Sequence, residues 1–402
     1  MKILQICHRV PYPAVDGGNI AMMNMALSLV QSGNEVHQFS LNTSRHHIEL
    51  STIPIELKDK LHMSAANIDT RVKAVDAFLN LFSHHSYNMV RFFSLEVAND
   101  LSKILERHKF DIIQLETLYC TPYIDTILKY SKAKIVLRSH NVEHIIWNRL
   151  ALSEKNPIKK RYLNLLTKRL KNYELKTLLQ VEAIVPITSV DENIFKELGY
   201  KGPMKSIPLG IDLKDYSNSE TLKSEMVLFH LGSMDWLPNR EGVDWFMKEC
   251  WNEIHKNVPE AKLYLAGRDF PQEISDAHYP NVICDGHVAN AAEYISGKQI
   301  MIVPLLSGSG MRVKIIQGLA AGKTIISTTI GAEGIDVEHE KNILIANTPH
   351  EFRTLIKRCF ENESWCRQIG KNGKALATEK YSLENTGRLV SDFYLKLMKN
   401  EK

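Results

Sequence analysis

Short apolar runs alternate along the chain with longer stretches of helical periodicity. In the first half, five runs are apolar on both faces, as buried parallel strands are. They cover residues 2–7, 35–41, 111–116, 134–140 and 183–189. A helical pattern over residues 19–33 follows the first run and ends at a glycine, a common stop signal. This alternation is typical of βαβ units and predicts a doubly wound parallel sheet.

A second series of apolar runs begins after residues 199–220, a stretch with three glycines and two prolines that reads as a linker. The runs cover residues 227–233, 262–268, 281–287, 300–306, 324–331 and 342–346. The predicted fold class is therefore α/β, with two Rossmann-like doubly wound parallel-sheet domains facing across a cleft. We place an N-terminal domain at 1–204 and a C-terminal domain at 205–380. A helix at 381–402 either caps the second domain or reaches back to the first.

Composition agrees with a chain of two soluble domains. The 402 residues exceed one ordinary core, and 44% hydrophobic and 24% charged residues are globular values. A net charge of +4 gives no argument for nucleic acid. Six cysteines without a CxxC pair indicate free thiols in a reducing compartment. No apolar run approaches the ~18–20 residues of a membrane span, so we expect a cytoplasmic protein.

The segment SGSGMRVKIIQG, residues 307–318, combines glycines and cations between a predicted strand and a predicted helix. Backbone N–H groups of Ser309, Gly310 and Met311 at a helix start favour an anion. Arg312 adds a planar fork and Lys314 a point charge, which together suit a diphosphate. The spacing is not that of a P-loop. The alternative is a flexible turn with a solvated charge pair.

Two features of the first domain are candidates for the same chemistry. Gly17 and Gly18 stand where the first strand turns into a helix, and their bare backbone can approach an anion. The alternative is a plain tight turn, and the GxGxxG spacing of a dinucleotide fold is absent. His140 stands at the end of a strand, where it can bond a substrate hydroxyl or a developing charge. The alternative for a lone histidine is a satisfied core residue.

Three further polar residues end strands of the second series and are predicted to share one rim. They are Arg268, His287 and Glu333. Each alone reads as structural, whereas their common position favours a nucleotide pocket. The sequence contains no HExxH motif, no DxD at a strand end with acidic neighbours and no Cys/His cluster, so no metal site is predicted.

The segment 159–176 is strongly basic, with seven Lys or Arg residues and one acid, Glu174. Tyr162, Leu166, Leu170 and Tyr173 fall on one helical face. A basic amphipathic helix can lie on an anionic membrane surface. The alternative is a solvated face over an ordinary core contact.

Taken together, these motifs resemble the family 4 glycosyltransferases of the GT-B fold, also called glycosyl transferases group 1. The resemblance runs along nearly the whole chain. Its blocks are the Gly17-Gly18 loop, HNVE at 140–143, IPLGID at 207–212, GSMDWLPNREGVDWF at 232–246, AGR at 266–268 and GSGMRVKIIQGLAAGKTIISTTIGAEGI at 308–335. Neither a tight turn nor a surface charge pair explains the two long blocks at these spacings.

The resemblance implies a retaining, metal-independent transfer of a sugar from a nucleotide diphosphate donor, UDP- or GDP-linked, with no other cofactor. The donor would bind mainly the second domain, and a glycan or lipid-linked acceptor the first. Gly18 would approach the donor phosphates, His140 would contact the donor sugar, and Arg312 and Lys314 would hold the diphosphate. The other donor-binding residues implied are Gly17, Gly232, Ser233, Arg268, His287, Ser309, Gly310, Met311, Gln317 and Glu333. The product would be a surface polysaccharide.

The chain departs from the family pattern in two places. Much of the family carries two glutamates seven residues apart in the glycine-rich segment. Here the first is missing and Gln317 stands at the second, where a ribose contact is expected; glutamine can still donate and accept hydrogen bonds. Arg240 and Glu241 also replace a lysine that often follows the first strand of the second domain. Two alternatives therefore remain, a GT-B nucleotide-sugar epimerase and a non-catalytic pseudo-transferase subunit.

Overall fold

The structure, a computed structural model, describes residues 1–220, 224–270, 274, 279–308 and 310–399. The chain forms two compact units, one of residues 1–210 and 383–402 and the other of residues 211–382. Within the described residues, no helix combines the length and the apolar character needed to cross a bilayer.

The first unit is built on a six-stranded parallel sheet. Its strands are β1 (Lys2–Cys7), β2 (Glu35–Thr43), β3 (Ser64–Ile68), β4 (Ile112–Glu116), β5 (Lys134–Ser139) and β6 (Ala183–Pro186). They lie in the order β3-β2-β1-β4-β5-β6, and every neighbouring pair is parallel. Five of them coincide with predicted runs. The sequence analysis missed β3, because this edge strand reads SAANI and has no continuous apolar run.

Helices cover both faces of this sheet. They are α1 (Gly17–Gln31), α2 (Ile55–Lys60), α3 (Ala74–Asn80), α4 (Tyr87–Val90), α5 (Leu95–Arg107), α6 (Ile124–Tyr130), α7 (Glu143–Ser153), α8 (Pro157–Thr177) and α9 (Ser189–Glu197). Alternate residues of a strand point to opposite faces. Accordingly, Leu4 and Ile6 of β1 belong to one core cluster, and Ile3 belongs to another. The sheet therefore has a buried core on each side, as a doubly wound fold requires.

The second unit repeats this plan. Its strands are β7 (Glu225–Leu231), β8 (Leu263–Ala266), β9 (Val282–Gly286), β10 (Lys298–Val303), β11 (Thr324–Ser327) and β12 (Leu344–Ile345). They lie in the order β12-β11-β10-β7-β8-β9, again all parallel. Its helices are α10 (Leu237–Phe246), α11 (Asn252–Asn257), α12 (Ala291–Ser296), α13 (Val313–Ala320), α14 (Pro349–Glu361) and α15 (Glu363–Lys380). The α/β, two-sheet fold class predicted from the sequence is confirmed.

Each sheet has one topological switch point. On one side of it the chain adds strands towards one edge of the sheet, and on the other side it adds them towards the opposite edge. In the first unit it lies between β1 and β4, and in the second between β7 and β10. In open α/β sheets, ligands bind beyond the carboxyl ends of the strands at this point. The loops after these four strands are therefore the places to look for a site.

The last helix, α16 (Leu383–Lys399), belongs to the first unit and packs on α1. Asn34 donates a hydrogen bond to the Ser391 hydroxyl at 2.9 Å. Gly387 lies against α1 so closely that a Cβ there would stand 2.1 Å from the backbone oxygen of Ser28. The bare backbone of Gly387 thus permits the close approach of the two helices.

Candidate functional site

In the second unit, Lys314 lies in the first turn of α13, at the switch point beside β10. Its ammonium donates to the Asn239 side-chain oxygen at 2.8 Å and lies 3.5 Å from His230 Nε2. Burial, reinforced by the nearby Arg312 guanidinium, lowers the pKa of Lys314 to about 7. Near neutral pH the side chain is therefore a mixture of amine and ammonium, and a bound anion shifts it towards the charged ammonium form.

The backbone after β7 leaves space for that ammonium. A Cβ at Gly232 would stand 2.4 Å from Lys314 Nζ and 2.6 Å from the Asn239 amide nitrogen. Asn239 is itself oriented by donating to the Ser233 carbonyl at 2.8 Å. Gly232 and Ser233, predicted from the sequence, thus lie beside Lys314, whereas Asn239 was missed although it stands in a quoted motif. Its partner 75 residues away could not be read from the sequence.

Arg312 is the residue immediately before α13 and is buried, with 5% of its surface exposed. Its guanidinium lies 5.3 Å from the ring centroid of Trp236, a cation–π contact, and Nη1 donates to the Gly310 carbonyl. A Cβ at Gly308, where φ is +122°, would stand 2.7 Å from Nη2. The turn that the sequence analysis singled out therefore wraps around Arg312, and Trp236 is a neighbour that the sequence did not indicate.

The other predicted site residues of this unit lie in loops that follow neighbouring strands. Arg268 and His287 follow β8 and β9 and are exposed, and neither shares a hydrogen bond or ion pair with Lys314 or Arg312 within the described residues. Glu333 is half-buried in the loop after β11. Ser309 lies outside the described residues.

Gln317 and Met311 have protein neighbours of their own. The Gln317 side chain hydrogen-bonds the Tyr216 hydroxyl, and Met311 packs partly buried on an apolar cluster. The buried hydroxyl of Ser233 has no hydrogen-bond partner among the described residues. A buried polar atom without a partner is uncommon in a folded protein. The Ser233 hydroxyl is therefore available to a polar ligand or to water.

In the first unit, the predicted glycine loop is organised by a charge pair. Asp16 caps α1 by accepting from the backbone of Gly18 at 3.0 Å and of Asn19 at 3.1 Å, and it also pairs with Arg9. A Cβ at Gly18 would stand 2.7 Å from Arg9 Nη2. Gly17 is exposed at the first position of α1. The two glycines therefore stand at a helix N-terminus next to a guanidinium, an arrangement that favours anions.

His140 follows β5 and lies over a buried ion pair. Its Nε2 is 2.6 Å from Glu116 Oε2, and the same oxygen accepts from Arg138 Nη1 at 2.9 Å. Glu116 and Arg138 are both fully buried, whereas the His140 side chain keeps 10% of its surface exposed. Burial lowers the pKa of His140, even though the Glu116 carboxylate opposes this shift. The sequence analysis named His140 but neither of its charged partners.

Other polar groups gather at the same edge of this sheet. Burial, reinforced by Arg9 and His140, lowers the pKa of His8 to about 3, so its ring is neutral. Thr117, at 3.3 Å from His8 Nδ1, has φ of +78°, a conformation that non-glycine residues seldom adopt. Backbone outliers of this kind cluster at functional sites, which supports this edge as a candidate site of the first unit.

The HNVE motif continues into α7, whose N-terminus is closed by a residue of α8. The Glu174 carboxylate accepts from the backbone N–H groups of Glu143 and His144, and it bonds the His144 ring at 2.6 Å. The one acid of the basic helix thus caps its neighbour. Glu143 accepts from the Tyr119 hydroxyl at 2.9 Å, and burial raises the pKa of Glu143 to about 7.

One group of metal-ligating side chains occurs among the described residues, namely Glu35, His37 and His62. Their ligand atoms lie within 4.8 Å of one another. Glu35 also pairs with Lys2 at 2.9 Å, and these residues flank the amino ends of β1 and β2. The group therefore lies at the edge of the sheet opposite to His140.

The basic helix α8 uses its apolar face inside the protein. Leu163, Leu166 and Leu170 are buried, and α8 packs against α7. This face is not available to a membrane. The exposed cations of α8 are Lys159, Arg161, Lys168, Lys171 and Lys176.

Two family models match the chain, one in each unit. The model described as Glycosyltransferase Family 4 matches residues 15–215, and the one described as Glycosyl transferases group 1 matches residues 225–362. A curated relative is an uncharacterized 44.6 kDa protein in the cps region of Klebsiella pneumoniae. It is 24% identical over 391 residues, covering 94% of this chain and 96% of the relative.

Solved structures share the fold over the whole length. Sucrose-phosphate synthase from Thermosynechococcus elongatus has a TM-score of 0.72 at 15% identity and covers 100% of each chain. HepE from Anabaena in complex with UDP has a TM-score of 0.67 at 13% identity and covers 98% of this chain and 100% of its own. Since the Family 4 model spans half of the sequence and both units have the expected fold, the chain belongs to Glycosyltransferase Family 4 and is a glycosyltransferase of the GT-B fold.

Proposed function

We propose that the chain transfers a sugar from a UDP- or GDP-linked donor to a glycan or lipid-linked acceptor in surface polysaccharide synthesis, with retention of configuration and without a metal ion. The observation that carries this proposal is the pair of cations, Arg312 and Lys314, beside a helix N-terminus at the switch point of the second unit. The HepE structures contain UDP or UDP-glucose, and the Klebsiella relative is encoded in a cps region. The HepE ligands support a nucleotide-sugar donor, and the cps region supports a polysaccharide product.

The chemistry follows from where charge develops. As the bond between sugar and diphosphate breaks, negative charge grows on the departing phosphate oxygens. Arg312 offers a planar fork to them, and the bound diphosphate raises the pKa of Lys314 and so increases its positive charge. Interactions that strengthen in the transition state accelerate the reaction, whereas uniform binding does not. The departing phosphate oxygen takes the proton of the acceptor hydroxyl, so no other base is required.

No carboxylate nucleophile is nominated. Glu116 lies next to His140, but its two oxygens already accept four hydrogen bonds and it is fully buried. His140 contacts the donor sugar in this proposal, Gly18 approaches the donor phosphates, and Gln317 replaces the usual glutamate at the ribose. These roles rest on the family resemblance of the matching positions.

Binding of UDP tests the phosphate role. Arg312→Ala should weaken UDP binding by about 10- to 100-fold in titration calorimetry, because a charge-assisted bond to a buried anion contributes about 1.5–3 kcal/mol. Arg358→Ala is the matched control, since Arg358 also stacks on a tryptophan, Trp365, but at the surface and away from α13. Equal UDP affinity in wild type and Arg312→Ala would refute the assignment. His140→Ala should lower sugar transfer while leaving UDP affinity nearly unchanged.

A contact with the inner face of the membrane fits the surface of the first unit. Five large apolar side chains form what we call the 72–82 patch: Val72, Val75, Phe78, Leu79 and Phe82, which are 59–79% exposed. Arg169 of α8 donates to the Asn80 carbonyl at 2.8 Å, which places the patch beside the exposed cations of α8. Apolar side chains next to a row of cations complement an anionic bilayer. The patch, rather than the apolar face of α8, would enter the lipid.

Vesicle co-sedimentation separates this proposal from a merely solvated helix. Wild type should bind vesicles of mixed phosphatidylcholine and phosphatidylglycerol more strongly than pure phosphatidylcholine. The double variant Phe78→Ser, Phe82→Ser should lose binding, and Leu128→Ser, an exposed leucine on α6, should retain it. Equal binding of all three proteins would remove the patch from the proposal while leaving the transferase assignment intact.

A further inference from the structure

Glu116, at the carboxyl end of β4, is the centre of a fully buried polar network in the first unit. Its Oε1 accepts from the amides of Gln5, at 2.7 Å, and Gln114. Its Oε2 accepts from Arg138 Nη1 at 2.9 Å and from His140 Nε2 at 2.6 Å. A carboxylate has about four acceptor positions, and here all are used. Burial alone would raise the pKa of Glu116, but Arg138, His140 and Gln5 together hold it at about 2.

The proton count at His140 follows from these contacts. Arg138 Nη1 lies within hydrogen-bond distance of three atoms, Glu116 Oε2 at 2.9 Å, His140 Nε2 at 3.1 Å and the Ala21 carbonyl oxygen at 3.3 Å. An unprotonated His140 Nε2 could accept from Arg138 Nη1, but its lone pair would also face the Glu116 carboxylate oxygen at 2.6 Å, the shorter contact, which is then repulsive. Nε2 must carry the hydrogen. In a neutral imidazole the other nitrogen, Nδ1, then has a free lone pair.

The charged and titratable groups around His140 support a neutral ring. They are Glu116 on β4, Arg138 on β5, and His8 and Arg9 after β1. Burial lowers the pKa of His140, Glu116 opposes this shift, and the guanidinium groups of Arg138 and Arg9 add to it. Within the described residues, no protein group forms a hydrogen bond with Nδ1. The lone pair is therefore left for a ligand.

We propose that Glu116 is a positioning residue that fixes His140 as the Nε2–H tautomer and presents Nδ1 as a hydrogen-bond acceptor to a hydroxyl group of the donor sugar. The inference rests on the proposed function in one respect, that the donor sugar lies at His140. It adds a specificity rule. The sugar must offer an O–H at this point, because a carbonyl or carboxylate oxygen would meet the lone pair of Nδ1.

The network continues to the C-terminal helix. Gln114 Oε1 accepts from the hydroxyl of Tyr394 on α16, which leaves the Gln114 amide N–H for Glu116. Gln5 is oriented in the same way, since its oxygen accepts from Gln38 at 2.8 Å. Without the Tyr394 hydroxyl, Gln114 loses the contact that selects its orientation. Tyr394 therefore stabilises the arrangement of Glu116 through Gln114, which lies 280 residues before it in the chain.

Nitrogen NMR of histidine-labelled protein tests the tautomer without any assay of transfer. His140→Gln identifies the signal. We expect a protonated Nε2 and an unprotonated Nδ1 in wild type at pH 7.5, and a mixed or reversed tautomer in Glu116→Gln. A protonated Nδ1 in wild type would overturn the proposal, whether or not the protein transfers sugar.

Kinetics with UDP-glucose as the donor test the positioning role. Glu116→Gln should lower kcat by about 10- to 100-fold, as for residues that orient a histidine through its second nitrogen, with UDP affinity unchanged. Tyr394→Phe should lower kcat roughly two- to tenfold, the value of one buried hydrogen bond. Tyr381→Phe is the control, because this buried tyrosine bonds the Asp336 backbone outside the network. Full kcat in both Glu116→Gln and Tyr394→Phe would overturn the positioning role.

The experiments distinguish a failure of the proposed sugar transfer from a failure of the proposed His140 tautomer. If wild type transfers no sugar from any nucleotide donor, the proposed function fails while the NMR result still decides the tautomer. Deoxy analogues of UDP-glucose test the specificity rule. Removal of one hydroxyl should weaken the donor in wild type and have no further effect in His140→Ala. Equal losses in both proteins would contradict the rule.

Discussion

At the scale of single residues, the decisive feature is Lys314, a lysine whose ordinary pKa of 10.5 falls to about 7. The unfolded chain binds a proton at this position between about pH 7 and 10.5 that the folded protein does not. This group therefore makes stability rise with pH across that window, and its charging on the acid side costs stability. A lysine with a pKa near 7 contributes little to stability, but its charge can increase when an anion binds beside it.

Nucleotide binding should take up a proton at Lys314. A bound diphosphate raises the pKa of the ammonium, so above pH 7.5 the UDP affinity should fall by about tenfold per pH unit until the pKa of the complex is reached. Titration calorimetry in buffers of different ionisation enthalpy measures the uptake directly. Lys314→Met should bind UDP weakly and without this pH dependence. A pH-independent affinity in wild type would contradict the prediction.

Gly232→Ala should weaken UDP binding without unfolding the protein. The added methyl group would displace the Lys314 ammonium, the movable end of a long side chain, instead of meeting backbone. Loss of a charge-assisted contact corresponds to about 1.5–3 kcal/mol of binding free energy. Gly297→Ala, whose Cβ would meet nothing within 4 Å, is the matched control in calorimetry and thermal unfolding. An equal UDP affinity of the two variants would remove Gly232 from the site.

At the scale of elements, the contact between α1 and α16 links the two ends of the first unit's sequence. Gly387 provides the close approach, and Tyr394 of the same helix reaches the buried network under His140. The last helix therefore both closes the core and holds the polar groups of β4 in register. A truncation before residue 383 would remove both contributions.

Gly387→Ala should destabilise the first unit. Its Cβ would stand 2.1 Å from a backbone oxygen, which cannot move away without shifting α1. Overpacking of this kind costs about 1–3 kcal/mol, or roughly 2–4 °C of Tm for each kcal/mol in a unit of this size. Differential scanning calorimetry should show the change in one transition, with Gly297→Ala unchanged as the control. A Tm equal to that of wild type would show that the helices have room to separate.

At the scale of the whole molecule, two sheets of the same strand order each carry polar residues at their switch point. Within the described residues, the one group that could bind a metal lies instead at the amino ends of β1 and β2. In the proposed mechanism, Arg312, Lys314 and the start of α13 neutralise the charge of the donor diphosphate.

Sugar transfer should persist in EDTA. Because the cations that face the diphosphate are side chains, removal of divalent ions should leave kcat within about twofold of its value, a difference of less than 0.5 kcal/mol. The His37→Ala variant, which breaks the Glu35, His37 and His62 group, should behave like wild type. Activity that EDTA abolishes and that added Mg²⁺ restores would refute the metal-free mechanism.

The sequence by itself determined the strands, the α/β class and the glycine-rich turn before α13. This is because apolar runs and turn residues are local signals: a buried parallel strand is apolar on both faces wherever it lies in the sheet. It failed for β3, whose small residues at a sheet edge carry no such signal. Arg312, Lys314 and His140 could be nominated from the sequence because each follows or opens a recognisable element.

Only the tertiary structure decided which side chains meet. Asn239 reaches Lys314 across 75 residues, Arg138 and His140 share Glu116, and Tyr394 reaches Gln114 across 280 residues. These pairs depend on strand order and helix packing, which periodicity does not encode. The short contact of His140 Nε2 with Glu116 and the lowered pKa of Lys314 likewise depend on burial that only the folded chain provides.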